Sequence, residues 1–283
     1  MSEVLVIGGA NIDIKAKTIG PQVAATSNPS HISTKPGGVG RNIAHNLAKL
    51  GVKVSLISAV GENAAGHMLL DATKAAGVDV SLILKTKQAT GTYIAFLNDN
   101  GELITAANDM AIMQAITPEL IMKHKAAIAL AKFVVADCNL AEDTLAAIAA
   151  LAAEKLIIEP VSVSKAQKLK TLGRVFLATP NLDQIEALTG TRGPQAAAKI
   201  LHKNGVKNLV IHAGENGAFV CSALTVTHIK SHSGKIIDVT GAGDAATAGL
   251  TCGLVNGLSL LKAAELGQKV AAEVIASESS TLS

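Results

Sequence analysis

Short apolar runs recur along this chain at intervals wide enough to hold a helix, and no other feature narrows the fold as much. They are Val4–Gly8, Val52–Ala59, Phe133–Ala136, Leu156–Ile158, Val175–Ala178 and Asn208–Ile211. A strand with apolar side chains on both faces must be covered on both, which is the condition of a parallel sheet between helical layers. Ala- and Leu-rich stretches of helical length lie between the runs, at Gly40–Leu50, Ala64–Ala76, Pro118–Ala131, Glu142–Ala153 and Pro194–Lys203. The alternation predicts an α/β fold with a mostly parallel central sheet. Hydrophobic residues are 49% of the chain and charged ones 17%, below the roughly 25% of an average soluble domain, so disorder is excluded. The 283 residues fit one large domain spanning 1–283 with a small appendage.

Two stretches, about 12–35 and 88–107, break the rhythm with alternating, turn-punctuated sequence. Asn100-Gly101 between β-like runs is a hairpin signal. Both stretches are expected in one small β-sheet that projects from the main body and covers a pocket as a lid.

Several partner classes are disfavoured. Four Phe, one Tyr and no Trp leave little for stacking on single-stranded nucleic acid, and a net charge of +3 without a basic block offers no footprint for a phosphate backbone. The longest uncharged run, Ala245–Leu261, is short for a bilayer span and reads as a buried helix, so no membrane partner is expected. Glu3 and the lack of a cationic segment before the first apolar run argue against a secretory signal, and Cys138, Cys221 and Cys252 form neither a disulfide framework nor a zinc pattern. A cytoplasmic protein is the expectation.

Three motifs carry chemistry. Asp238-Val-Thr-Gly-Ala-Gly-Asp244 opens an Ala-rich helix; glycines there let backbone N–H groups close on an anion, and Asp244 in the same turn can accept a hydroxyl proton. Pro36-Gly-Gly-Val-Gly-Arg-Asn42 is a second glycine cluster opening a helix, with Asn42 able to hydrogen-bond hydroxyls. Gly8-Gly-Ala-Asn11-Ile-Asp13 supplies further polar groups at a strand end. Gly-x-Gly-x-x-Gly and the Walker pattern are both absent, so neither a Rossmann dehydrogenase nor a Walker ATPase is supported.

Together and in this order, the motifs resemble the ribokinase-like, or PfkB, family of sugar and nucleoside kinases from Val4 to about Ala276. Within it, Ser27-Asn-Pro, Ala107-Asn-Asp-Met110, Val135-Ala-Asp-Cys-Asn139 and Glu159-Pro-Val-Ser162 are most similar to the bacterial pseudouridine kinases. The resemblance implies a three-layer ribokinase-like domain with a β lid used in homodimer formation, and ATP-dependent phosphorylation of a nucleoside 5′-hydroxyl. It makes Asp244 the catalytic base and the amides of Gly241, Ala242 and Gly243 the anion hole. Asn11, Asp13, Gly38 and Asn42 would hold the ribose, while Asn108, Asp109 and Asn139 would reach the base. His212, Gly214 and Gly217 match the nucleotide-side turn, and Asp238 and Thr240 match a monovalent-cation (K⁺) site. Asn181 and Gln184 stand in the motif that organises Mg²⁺ and phosphates, but Gln184 occupies a Glu position, leaving Asp183 or Glu186 to compensate.

Local alternatives stay open: an Asx turn for Asp13, a backbone contact for Asn42, a plain hairpin for 214–217 and a solvated turn for Asn108-Asp109. A nucleoside-binding sensor that has lost efficient transfer is the competing functional class.

Overall fold

Alternation along the strands of the central sheet sorts their side chains into two cores. Leu5, Ile7, Val134, Ala136, Leu156 and Ile158 enter one, while Val4, Val6, Val135 and Ile157 enter the other. The computed structural model describes residues 2–222, 225–232, 234, 236–277 and 279–283. In spatial order the sheet runs Val226–Ile229, Ala218–Cys221, Val206–His212, Val175–Ala178, Leu156–Glu159, Phe133–Asp137, Val4–Ile7 and Val54–Ile57. The first two pairings are antiparallel and the other five parallel. All six apolar runs lie in strands, and the predicted helices form on both sides, which makes the three layers expected of them.

Two helical boundaries differ from the sequence reading. Pro118–Ala131 is two short helices, Pro118–Lys123 and Lys125–Leu130, because the His124 N–H turns back to both the Leu120 and Ile121 carbonyls and ends the first. The uncharged run after Ala245 is likewise not one helix. Ala242–Val255 ends at Asn256-Gly257, and a second helix, Leu260–Ile275, starts behind a Ser259 cap. The two pack closely through small residues, with Gly249 against Gly267 and Gly253 against Ala263. Among the described residues no helix is long and apolar enough to cross a membrane.

The two irregular stretches come together in a four-stranded sheet ordered Ser30–Gly37, Asn11–Thr18, Thr92–Leu97 and Leu103–Asp109. Its hairpin closes where expected, with Gly101 in the left-handed region at φ +88°. The strands extend slightly beyond the sequence bounds, so Asn11 and Asn108-Asp109 belong to the sheet itself.

One buried carboxylate joins these parts. Asp137, 1% exposed at the end of its strand, accepts backbone N–H bonds from Gly9 (2.7 Å) and Gly40 (2.8 Å) on Oδ2 and from Asn139 (2.9 Å) on Oδ1. It thereby ties the first strand's exit to the start of helix Val39–Lys49. Removing the acceptor strands buried donors, each costing about 1–3 kcal/mol. Asp137→Ala should therefore lose about 2–5 kcal/mol of stability in urea unfolding, and Asp137→Asn distinctly less. Equal losses for the two variants would show that the hydrogen bonds are not what matters.

Candidate functional site

The carboxyl ends of the parallel strands open into a cleft of about 830 Å³, within the range of small-molecule sites. On one wall, helix Ala242–Val255 begins beside Gly241, whose φ of +81° turns the chain into the helix and whose α-carbon faces the Ser280 carbonyl so closely that a Cβ would sit 2.2 Å from it. Gly241, Ala242, Gly243 and Asp244 all line the cleft. Asp244 keeps an edge open to it while the rest is enclosed. Burial, then the neighbouring Glu159 carboxylate, pushes its carboxyl well above the usual carboxylate range, against the Asn42 amide that donates to it at 2.9 Å.

The adjoining wall is built from the Gly8–Asp13 and Pro36–Asn42 motifs. Asn42 lies in the first turns of helix Val39–Lys49, and Arg41, 4% exposed, donates to its amide oxygen at 3.2 Å. That bond fixes the amide orientation with its NH₂ toward Asp244. Asn11 donates to Asp13 at 2.6 Å; both line the cleft, as does Gly38. Burial raises the Asp13 carboxyl despite that bond. Asn108 lines the cleft from the small sheet, and so does Asn139, held by the Lys165 ammonium and by its own N–H to Asp137.

On the third side, His212 and Gly214 line the cleft with Asn181 and Gln184. Burial depresses the His212 imidazole to about 4, so it is neutral at physiological pH. Its Nε2 has no hydrogen-bond partner among the described residues.

Several sequence expectations change on this geometry. Asp109 does not line the cleft, because strand alternation points Asn108 in and Asp109 away, where its carboxylate caps the Ala111 N–H. Gly217 also stays outside; it is the hairpin glycine, at φ +81° against the Ile229 carbonyl. Gln184 closes a capping box, its oxygen accepting from Asn181 N and its own N–H donating to Asn181 Oδ1, both at 2.9 Å. Asp183 and Glu186 cannot compensate from where they lie: both are bound by Arg192 on the surface. Asp238 lies beside the cleft rather than in it, with Thr240 at the boundary, and both are within reach of the Lys15 ammonium.

Glu159 went unnoticed as a site residue in the sequence. It is 7% exposed, lines the cleft, and accepts from the Thr179 (2.7 Å) and Thr247 (2.9 Å) hydroxyls. Burial pushes its carboxyl up to about 7 despite those bonds. Val161, two residues on, holds a φ of +69° that a β-branched residue rarely adopts. The position of Glu159 at the end of an apolar run, in the Glu159-Pro-Val-Ser162 segment that carries part of the family resemblance, is the signal that could have marked it.

The whole chain, residues 1–283, matches the model of the pfkB family of carbohydrate kinases. It is 38% identical over 280 residues to the pseudouridine kinase of Escherichia coli K12, covering 94% of this chain and 88% of that one. It is 33% identical over 278 residues to an uncharacterized sugar kinase, YeiI, of the same organism, covering 95% and 76%. Among solved structures, a carbohydrate kinase from Agrobacterium tumefaciens superposes with a TM-score of 0.86 at 30% identity, over 99% of this chain and 93% of that one.

Because folded Glu159 holds its proton up to about 7 whereas an unfolded glutamate loses it near 4.5, the protein loses stability as pH rises through that window. Glu159→Gln removes the ionisation. The stability of wild type relative to Glu159→Gln should fall by a few kcal/mol, on the order of 1–3, between about pH 4.5 and 7.5. A pH-independent difference in urea midpoints would refute the buried-acid assignment.

Proposed function

The chain belongs to the pfkB family of carbohydrate kinases, and from that premise we propose that it phosphorylates the 5′-hydroxyl of a nucleoside with ATP, pseudouridine before others. The observation that carries the reading is Asp244 in the first turn of a helix whose leading residues, Gly241–Gly243, line the same cleft as Asn42 and Asp13. The Asp13 carboxylate accepts from vicinal ribose hydroxyls while Asn42 and the Gly38 backbone complete the sugar's seat. The 5′-hydroxyl then lies toward Asp244, which takes its proton as the bond from the hydroxyl oxygen to the γ-phosphorus of ATP forms and the bond from that phosphorus to the bridging oxygen breaks, releasing ADP. The amides of Gly241, Ala242 and Gly243, at the positive end of the helix, stabilise charge on the transferring phosphoryl group. His212 and Gly214 border the nucleotide's side.

A Mg²⁺ ion arriving with the nucleotide would neutralise phosphate charge. The donors present fit it in one way: Gln184 has its oxygen turned to Asn181, whereas Glu159 offers a buried carboxylate to the cleft. Glu159 would hold the ion's shell.

The four-stranded sheet acts as the lid, bringing Tyr93 and Asn108 to the cleft. Its exposed Ile32, Phe96, Leu103 and Ile104 suit a homodimer contact. Pseudouridine carries an N1–H donor where uridine has only C–H, so discrimination needs an acceptor. Asn108 fits: its side chain has no protein hydrogen bond among the described residues, whereas Asn139 already accepts from Lys165.

Asp244→Asn should lower kcat by about 10²–10⁴-fold with nucleoside affinity changed only a few fold. Because Asp244 is raised well above the ordinary range, the acid limb of kcat should lie well above pH 4, with activity rising as pH rises through it. A variant turning over at more than about a tenth of the wild-type rate would refute the base assignment. For the substrate, kcat/KM is compared for pseudouridine, uridine, ribose and adenosine, with Asn108→Ala expected to narrow the pseudouridine–uridine gap. Preference for uridine, ribose or adenosine would refute the pseudouridine assignment and keep the kinase; tight binding without turnover would make the protein a sensor.

A further inference from the structure

Lys15 is the second residue beyond Asp13 on the strand Asn11–Thr18, so the two side chains share one face of the small sheet. Asp13 enters the cleft. The Lys15 ammonium instead meets the turn that leads into helix Ala242–Val255, at 3.0 Å from Asp238 Oδ2 and 3.5 Å from Thr240 Oγ1. The carboxylate is divided between two tasks. Its Oδ1 accepts the Thr240 N–H at 2.9 Å and closes an Asx turn, while Oδ2 receives Lys15. Burial works against the charge, but the hydrogen bonds from Thr240 and Lys15 prevail and hold Asp238 at about 2, ionised throughout the physiological range. From the other side the turn rests on the C-terminal segment, through Gly241 against the Ser280 carbonyl.

The residues expected to hold a free monovalent cation are thus served by a cation the chain itself carries. A second positive charge at the same carboxylate would face the ammonium directly, so the donor set suits Lys15 better than it suits K⁺. We propose that Lys15 is a positioning residue: a tethered ammonium that orders the turn bearing the Gly241–Gly243 amides, making phosphoryl transfer independent of K⁺ and contingent on docking of the small sheet. The catalytic consequence rests on those amides forming the anion hole; the ordering of the turn does not. Both partners keep about a third of their side-chain surface exposed (34% and 30%), so the pair adds little to global stability. Its effect belongs in the geometry of the turn.

The test compares wild type, Lys15→Met and Lys15→Arg in potassium chloride and in tetramethylammonium chloride at equal ionic strength. Wild-type kcat should agree between the salts within about twofold. Lys15→Met should lose about tenfold or more in kcat in tetramethylammonium and recover part of it in K⁺ or methylammonium, while Lys15→Arg stays near wild type. Without nucleotide, the amides of residues 239–243 should exchange hydrogen faster in Lys15→Met than in wild type, and K⁺ should slow that exchange only in the variant. Activation of wild type by K⁺ above about fivefold would overturn the proposal. So would loop exchange in Lys15→Met equal to that of wild type. If wild type phosphorylates no nucleoside, the nucleoside-kinase reading fails by itself, and the exchange measurement still decides the role of Lys15.

Discussion

The wall of the cleft that carries Asn11, Asp13 and Asn42 hangs on the Asp137 carboxylate and the backbone N–H groups it gathers. Gly9 precedes the strand carrying Asn11 and Asp13, and Gly40 lies in the first turn of the helix carrying Asn42; one oxygen, Oδ2, sets the distance between them. An ionised acceptor makes stronger bonds than a neutral one, and in a dry environment the difference grows. Burial nevertheless raises the Asp137 carboxyl, and the N–H bonds from Gly9, Asn139 and Gly40 oppose that rise. The same carboxylate that organises the fold therefore adds negative potential beneath the cleft.

That potential is shared. Asp13, Asp137, Glu159 and Asp244 all have carboxyls raised by burial, and Asp244 is raised further by the charges of the other three. Among the described residues lining the cleft, Lys165 brings the one ammonium, and it is directed to Asn139. An acidic floor makes a stronger base of Asp244, while the amides at the head of its helix present the opposite sign a few atoms away. Such a cleft suits an anionic nucleotide only in company with a cation.

Much of this was legible along the chain. Both-face burial of a strand leaves an apolar run, so every central strand that was expected is present, and glycine clusters at helix starts marked the two walls of the cleft. Side-chain commitments were not legible. Gln184 and Asn181 read as a metal motif, but their mutual spacing also satisfies a capping box. Asp183 and Glu186 were available carboxylates until Arg192, in the following loop, proved to hold both. Asp109 and Asn108 were indistinguishable as neighbours until a strand sent them to opposite faces.

The sequence by itself determined the class of fold and the order of the motifs that line the cleft, because these depend on local periodicity and on contiguous residues. Only the tertiary structure decided what each polar group is free to do. Lys15 and Asp238 are 223 positions apart, Asn42 and Asp244 are 202 apart, and Thr247 meets Glu159 across 88. A hydrogen bond needs its partners within about 3 Å, and chain separation carries no information about that distance until the sheet and helices have packed.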